Sequence, residues 1–152
     1  EFGALSADHL EYLDADGVAA MARAGTVAML IPAAYLLLKE TQLPPIAALR
    51  QAGVPMAVAS DLNPGTSPIL SLRLAMSLAC TLFGLTVEEA WRGATLHAAR
   101  ALGLGEATGS LQAGAPADFV LWDAASPAEL LYWLGDRRAQ QIVCAGRIVA
   151  VA

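Results

Sequence analysis

Asp61 is the residue whose position in this chain most strongly predicts chemistry. It follows the apolar segment 54–59, which is typical of a parallel strand buried on both faces, and Asn63-Pro64-Gly65 then predicts a turn. Ligands of α/β sheets and barrels bind at the carboxyl ends of the strands, so a carboxylate here is a candidate for metal or proton chemistry. The alternative is an Asx turn, in which Asp61 or Asn63 bonds only to the nearby backbone.

His9 is the second candidate, because it stands at the end of a predicted strand over residues 4–8. An imidazole at this position can bind a metal, polarise a carbonyl or shuttle a proton. The alternative is a histidine bonded to a neighbouring loop. His9 and Asp61 would end strands of one parallel sheet, two strands apart, and would therefore face the same mouth. His97 lies inside a predicted helix at the border of its apolar face, which indicates a structural role.

Segments of strand length alternate with segments of helical period over the first two thirds of the chain, and this pattern predicts an α/β fold with a parallel sheet. We expect strands at 4–8, 26–31 and 54–59. Helix signals fall between and after these strands. They are Asp14 and Gly25 for one helix, Pro44-Pro45 and Gly53 for another, Ser67-Pro68 and Gly84 for a third, and a capping box at Thr86 and Glu89 for a helix that ends at Gly103.

The sequence changes in character from about residue 105, where glycine and proline become frequent. Strands are predicted at 119–122, 142–144 and 147–149, and Ser126-Pro127 predicts one short helix between them. We therefore expect two domains, residues 1–104 and residues 105–152, of which the second is part of a small β domain.

Composition excludes several classes of protein. A chain that is 57% hydrophobic and 15% charged is not a disordered segment, and its longest apolar stretch, interrupted by Pro32, is too short to span a bilayer. A net charge of -5 with scattered basic residues argues against a nucleic-acid partner. Cys80 and Cys144 lie in apolar runs, which predicts two buried thiols and a reducing, cytoplasmic location. The strand-like start without Met leads us to expect a piece of a longer protein.

Three motifs, SADHLEY at 6–12, LPPI at 43–46 and DLNPGTSP at 61–68, resemble the imidazolonepropionase family of the amidohydrolase superfamily. The segments at 109–114 and 117–120 are similar to the re-entry into the small β domain of many amidohydrolases. The resemblance covers essentially the whole chain. It implies the C-terminal part, about strands 6 to 8, of a metal-dependent (β/α)8 TIM barrel, together with part of a small β-sandwich domain.

The resemblance also implies an activity on a small-molecule substrate. The complete enzyme would hydrolyse the cyclic amide of 4-imidazolone-5-propanoate to N-formimino-L-glutamate in histidine degradation, with one zinc or iron ion that activates water. By this resemblance Asp61 would ligate the metal and transfer the proton, and His9 would orient water or substrate. Asn63, Gly65 and Thr66 would bind the substrate and its propionate.

The chain also departs from the family pattern, since the first-strand His-x-His pair and the fifth-strand histidine that supply most metal ligands are absent. They would lie upstream of Glu1, so we expect this chain alone to be inactive. Separately, we expect the complete protein to be a homodimer. Two alternatives stay open. One is another cyclic amidase or deaminase of the superfamily, and the other is a non-enzymatic α/β module that binds an anion with the 63–67 loop at a helix N-terminus.

Overall fold

A computed structural model of the chain describes residues 3–135 and 138–151, which form two three-stranded sheets and their helices. The first sheet contains β1 (Ser6–Asp8), β2 (Val27–Leu30) and β3 (Met56–Val58), and the second contains β4 (Phe119–Trp122), β5 (Ala139–Cys144) and β6 (Arg147–Val151). The helices are α1 (Ala15–Ala24), α2 (Pro32–Leu37), α3 (Ile46–Gln51), α4 (Leu72–Phe83), α5 (Val87–Ala94), α6 (Leu96–Ala101) and α7 (Pro127–Tyr132).

The first sheet is parallel with the strand order β1-β2-β3, which confirms the predicted α/β class. All three residues of β3 are buried, as the apolar segment predicts. One face of β2 and β3 contributes Ala28, Leu30, Met56 and Val58 to the main core. On the opposite face Val27 and Ala57 pack with Ala101 of α6. Burial on both faces explains why these strands are apolar throughout and do not alternate with polar residues.

The predicted ends of α1 are confirmed by its caps. The carboxylate of Asp14 accepts a hydrogen bond from the Gly17 amide at 2.8 Å, and Gly25 ends the helix in the left-handed conformation with φ 69°. Gly84 ends α4 in the same way with φ 68°. The helix α2 was not predicted, because its six residues follow β2 within one continuous apolar run and its only start signal is Pro32.

The predicted start of α4 at Ser67-Pro68 is wrong. The helix begins at Leu72, and the hydroxyl of Ser71 accepts the capping hydrogen bond from the Leu74 amide at 3.2 Å. Ser67 instead belongs to the preceding loop, where its backbone pairs with Asn63 and its hydroxyl donates to the Ser60 carbonyl. Two serines with the same capping chemistry lie four residues apart, and tertiary contacts decide which of them begins the helix.

The helix predicted from the capping box to Gly103 is divided at Thr95 into α5 and α6. Thr95 adopts φ -125° and ψ -90°, and its hydroxyl donates to the Trp91 carbonyl at 2.7 Å. The capping box itself is confirmed. The Thr86 amide donates to the Glu89 carboxylate at 2.8 Å, and the Glu89 amide donates to the Thr86 hydroxyl at 3.1 Å.

Gly93 allows α5 to approach β3 closely. A Cβ atom at Gly93 would lie 3.1 Å from the Met56 carbonyl oxygen and 3.3 Å from the Val58 amide nitrogen, both of which belong to the strand backbone. The absence of a side chain at Gly93 thus permits close packing of α5 on β3. This contact fixes the position of β3 and hence of the loop that follows it.

The second sheet is antiparallel with the order β4-β5-β6, and the predicted hairpin about Ala145-Gly146 is confirmed. Arg73 connects the α4 helix to this part of the chain. Its buried guanidinium donates to the Leu130 carbonyl at 2.8 Å and to the carbonyls of Trp133 and Gly135, all in or just after α7. The carbonyl end of α7 therefore has a positive charge where the helix dipole favours one.

The prediction of two buried thiols is wrong. Cys144 is exposed on the antiparallel sheet and Cys80 is half-buried, and both are free. Burial, with the nearby Glu89 charge, raises the pKa of the Cys80 thiol. Within the described residues, no helix has the length and apolar character needed to cross a membrane.

Glu89 provides a test of the ion pair that ties α3 to α5. Its carboxylate accepts hydrogen bonds from the Arg50 guanidinium at 2.6 and 2.9 Å, and these bonds lower the pKa of Glu89 from 4.5 to about 2. Because the folded pKa is depressed, the stabilisation is present above pH 4.5 and is lost as the pH falls towards 2. Glu89→Gln should lower the free energy of unfolding at pH 7 by about 0.5–1 kcal/mol and flatten its acid dependence.

The matched control is Glu88→Gln, since the Glu88 carboxylate is 79% exposed and lies 3.6 Å from Arg92. Thermal unfolding monitored by circular dichroism between pH 2 and pH 7 compares the two variants. Equal losses in both variants, or an unchanged acid dependence in Glu89→Gln, would contradict the assignment.

Candidate active site

The two candidate catalytic residues, His9 and Asp61, lie at the same edge of the parallel sheet. His9 directly follows β1 and is exposed, and Asp61 follows β3 by three residues and is half-buried. Since β1 and β3 both run parallel to β2, which separates them, their carboxyl ends meet at one edge. The structure thus has the strand-end arrangement that the sequence predicts, and no hydrogen bond joins the two side chains among the described residues.

Both residues adopt the left-handed backbone conformation that L-amino acids normally avoid. Only four described residues other than glycine have a positive φ, and two of them are His9 at 54° and Asp61 at 49°. Such a conformation costs on the order of 1–2 kcal/mol and persists only where surrounding contacts hold it. This strain is not visible in the sequence, and it sets the direction in which each side chain leaves the sheet.

Asn63 organises the loop after β3. Its Oδ1 accepts hydrogen bonds from the amide of Gly65 at 2.9 Å, the amide of Thr66 at 2.7 Å and the hydroxyl of Thr66 at 3.2 Å. Its Nδ2 donates to the backbone carbonyl of Asp61 at 2.8 Å and to the Asp61 carboxylate at 3.2 Å. The Asx turn considered above is therefore present, centred on Asn63, and it holds the candidate carboxylate.

These hydrogen bonds bear on the expected anion contacts. The amides of Gly65 and Thr66 and the Thr66 hydroxyl all point to Asn63 Oδ1, so a ligand carboxylate would have to replace that oxygen. The loop also does not lie at a helix N-terminus, because α4 begins at Leu72. The non-enzymatic anion module loses its geometric basis for this reason.

Asp61 and His9 offer an oxygen and a nitrogen donor of the kind that zinc and iron take. Across residues 3–135 and 138–151, however, no group of three or more His, Cys, Asp or Glu side chains comes together to hold a metal ion. Such ions usually need three or four protein ligands. Asp61 and His9 alone would therefore be too few to hold such an ion.

His97 lies at the opposite end of β3. Its Nδ1 is 2.9 Å from the Met56 carbonyl oxygen, at the first residue of the strand, and its ring is half-buried. It lines a cleft of about 550 Å³ with Arg50 and Arg100. This contact between α6 and β3 agrees with the structural role predicted for His97.

Ser67, which the sequence predicts as a helix start, belongs instead to the loop near the site. It is fully buried, and its hydroxyl donates to the Ser60 carbonyl at 2.5 Å, immediately before Asp61. Its only signal in the sequence was a Ser-Pro pair, which equally suits a helix start. Burial of the serine, which the sequence does not reveal, distinguishes a helix cap from a hydroxyl that bonds within the loop.

Sequence relatives share this chain almost from end to end. The Paracidovorax citrulli imidazolonepropionase is 63% identical over 97% of this chain and 36% of its own length. The Cupriavidus necator imidazolonepropionase is 62% identical over 97% of this chain and 35% of its own, and that of Pseudomonas aeruginosa is 63% identical over 93% and 35%. The chain spans about a third of the length of the curated relatives it matches.

Solved structures share its fold. Guanine deaminase from E. coli superposes with a TM-score of 0.79 at 21% identity, over 97% of this chain and 39% of that one. A zinc-bound adenosine deaminase from Xanthomonas campestris gives 0.77 at 26% identity, over 96% and 37%. An amidohydrolase from a Sargasso Sea sample superposes with a TM-score of 0.80 at 22% identity, over 98% of this chain and 36% of that one.

The model of the amidohydrolase family matches residues 4–149, a range that includes both sheets apart from the last residues of β6 and contains His9, Asp61 and the Asn63 loop. The match thus extends over the candidate site as well as the fold. The chain belongs to the amidohydrolase family.

Proposed function

We propose that the protein containing this chain is an imidazolonepropionase, which hydrolyses the cyclic amide of 4-imidazolone-5-propanoate to N-formimino-L-glutamate. The observation that carries the proposal is Asp61 on a left-handed turn after β3, at the same sheet edge as His9. The identity of 63% with the Paracidovorax citrulli imidazolonepropionase supports this choice of substrate within the family.

The proposal includes the architecture of the complete protein. Residues 1–104 would be the C-terminal part of a (β/α)8 TIM barrel, in which β1, β2 and β3 are about strands 6 to 8. Residues 105–152 would be part of a small β-sandwich domain. The parallel sheet with its helices and the separate antiparallel sheet support this division.

The proposed partners follow from the surface. The net charge of -5 disfavours nucleic acid, and we propose a cytoplasmic enzyme without a membrane partner. A homodimer is proposed for the complete protein. Leu36, Leu37 and Leu38, each about half exposed at the end of α2, are the kind of apolar surface that a subunit interface covers.

Asp61 has two tasks in the proposed reaction. A zinc or iron ion, when bound, would supply Lewis acidity that makes water a nucleophile near neutral pH. Asp61 would be one of its ligands, accept the proton from the attacking water and return it to the ring nitrogen as the C–N bond breaks. Asn63 Nδ2 donates to Oδ2 of this carboxylate at 3.2 Å, while Oδ1 has no hydrogen-bond partner among the described residues.

The remaining residues bind and orient. His9 would orient the water or polarise the ring carbonyl from the end of β1. The propionate of the substrate would take hydrogen bonds at Asn63, Gly65 and Thr66, where it replaces Asn63 Oδ1 as the acceptor of the loop amides. A carboxylate is a stronger acceptor than an amide oxygen, which favours this exchange.

A second candidate is a deaminase of the same family, since the adenosine deaminase of Xanthomonas campestris is 26% identical and superposes over 96% of the chain. A substrate panel separates the two. We expect the full-length protein to consume 4-imidazolone-5-propanoate and to leave adenosine and guanine unchanged. The ultraviolet absorbance of the imidazolone measures its consumption. Release of ammonia from either purine without ring opening of the imidazolone would overturn the proposal.

Asp61→Asn in the full-length protein tests the proposed proton carrier. Because the amide can neither accept the water proton nor ligate as an anion, we expect kcat to fall by about 10³-fold or more and bound zinc or iron to decrease. The control is Asp14→Asn, since asparagine caps a helix as well as aspartate does. Near-normal turnover by Asp61→Asn would refute the role given to this residue.

His9→Gln tests whether His9 serves the reaction and not the metal. We expect kcat to fall by about 10²-fold while metal content, measured by mass spectrometry after dialysis, stays close to that of the parent protein. His97→Gln is the matched control, and it should lower thermal stability with little effect on kcat, because the His97 ring bonds to Met56 at the far end of β3. Metal loss in His9→Gln would contradict this assignment.

A further inference from the structure

Ser67 closes the loop that carries Asp61. It is 0% exposed, and its hydroxyl donates to the Ser60 carbonyl at 2.5 Å. Its own carbonyl accepts hydrogen bonds from the amides of Asn63 at 3.1 Å and Ile69 at 2.8 Å. The hydroxyl thus links the last residue of the loop to the residue that precedes Asp61, across seven positions of sequence.

The position of this hydrogen bond matters because of the backbone unit it holds. The Ser60 carbonyl belongs to the planar peptide group before Asp61, and the Asp61 carbonyl belongs to the group after it. Ser67 Oγ holds the first group and Asn63 Nδ2 holds the second, at 2.8 Å. The φ and ψ angles of Asp61 are the rotations between these two planes, so the two hydrogen bonds together hold Asp61 at its positive φ.

We propose that Ser67 is a positioning residue for Asp61, whose hydroxyl fixes the preceding peptide group and thereby directs the carboxylate from the sheet edge. The inference rests on the proposed function, since it concerns the residue that would carry the proton and ligate the metal. Without the hydroxyl, the Ser60 carbonyl loses this donor, and among the described residues no other hydrogen bond to this peptide group is present. Asp61 is then free to move towards the right-handed conformation that L-residues prefer.

Ser67→Ala in the full-length protein tests this role. A misplaced reacting group typically costs about 10²-fold in rate, so we expect kcat to fall by about 30-fold to 100-fold while KM changes by less than about threefold. We also expect zinc or iron to be lost more quickly on dialysis against a chelator, which is a readout independent of turnover. A residue with only a packing role would not produce this separation of kcat from KM together with metal loss.

Ser77→Ala is the matched control. Ser77 is 1% exposed, and its hydroxyl donates to the Arg73 carbonyl at 3.2 Å, one turn earlier in α4. This variant makes the same chemical change at a similarly buried position whose hydroxyl bonds within α4. We expect its kcat and its metal retention to match those of the parent protein.

Several outcomes would overturn the inference. A folded Ser67→Ala protein with kcat within about twofold of the parent would do so, as would equal losses in Ser67→Ala and Ser77→Ala. If Ser67→Ala fails to fold, Ser67→Cys carries the same comparison, because the thiol fills a similar space and is a much weaker donor.

Failure of the proposed function is distinguishable. If the parent protein does not open 4-imidazolone-5-propanoate, the activity assignment is wrong and metal retention alone decides the role of Ser67. Faster metal loss from Ser67→Ala than from Ser77→Ala would then support it, and equal retention would overturn it.

Discussion

The burial of β3 on both faces is the constraint on which the candidate site depends. The strand has only three residues, yet α4, α5 and α6 all contact it. At Gly93 the α5 backbone lies so close to β3 that an added Cβ atom would contact the strand backbone. A strand held this tightly ends at a fixed point in space. The loop of residues 59–67 then begins from a rigid support, which is the condition for holding a carboxylate in a strained conformation.

Electrostatic contacts complete this support at some distance from the site. Arg50 and Glu89 connect α3 to α5, and Glu89 also belongs to the capping box, so one carboxylate serves both a helix start and an ion pair. Arg73 connects α4 to the carbonyl end of α7. These contacts therefore connect α4 and α5, which both contact β3, to other helices of the fold.

The fold was predictable where its signals are local. Asp14, Gly25, Gly84 and the Thr86–Glu89 box each satisfy a helix end with their own atoms, so the sequence alone locates them. The start of α4 and the break at Thr95 were not predictable. Ser67 and Ser71 have identical capping chemistry, and the hydrogen bonds that distinguish them, from Ser67 to the Ser60 carbonyl and from the Leu74 amide to Ser71, form only in the folded chain.

The candidate site was predictable to the same extent. The rule that ligands bind at the carboxyl ends of parallel strands locates Asp61 and His9, because it needs only the strand order. It cannot reveal their positive φ angles, which depend on hydrogen bonds made after the chain has folded. It also cannot show that Asn63 has used all its hydrogen-bonding capacity within its own loop.

The side-chain amide of Asn63 couples the two ends of the loop. Its oxygen holds Gly65 and Thr66 and its nitrogen holds Asp61, and the two atoms belong to one rigid planar group. Any event that rotates this plane therefore changes the hydrogen bonds at both ends together. By thermodynamic reciprocity, an anion at the Thr66 end and a cation at the Asp61 end must alter each other's affinity by the same factor.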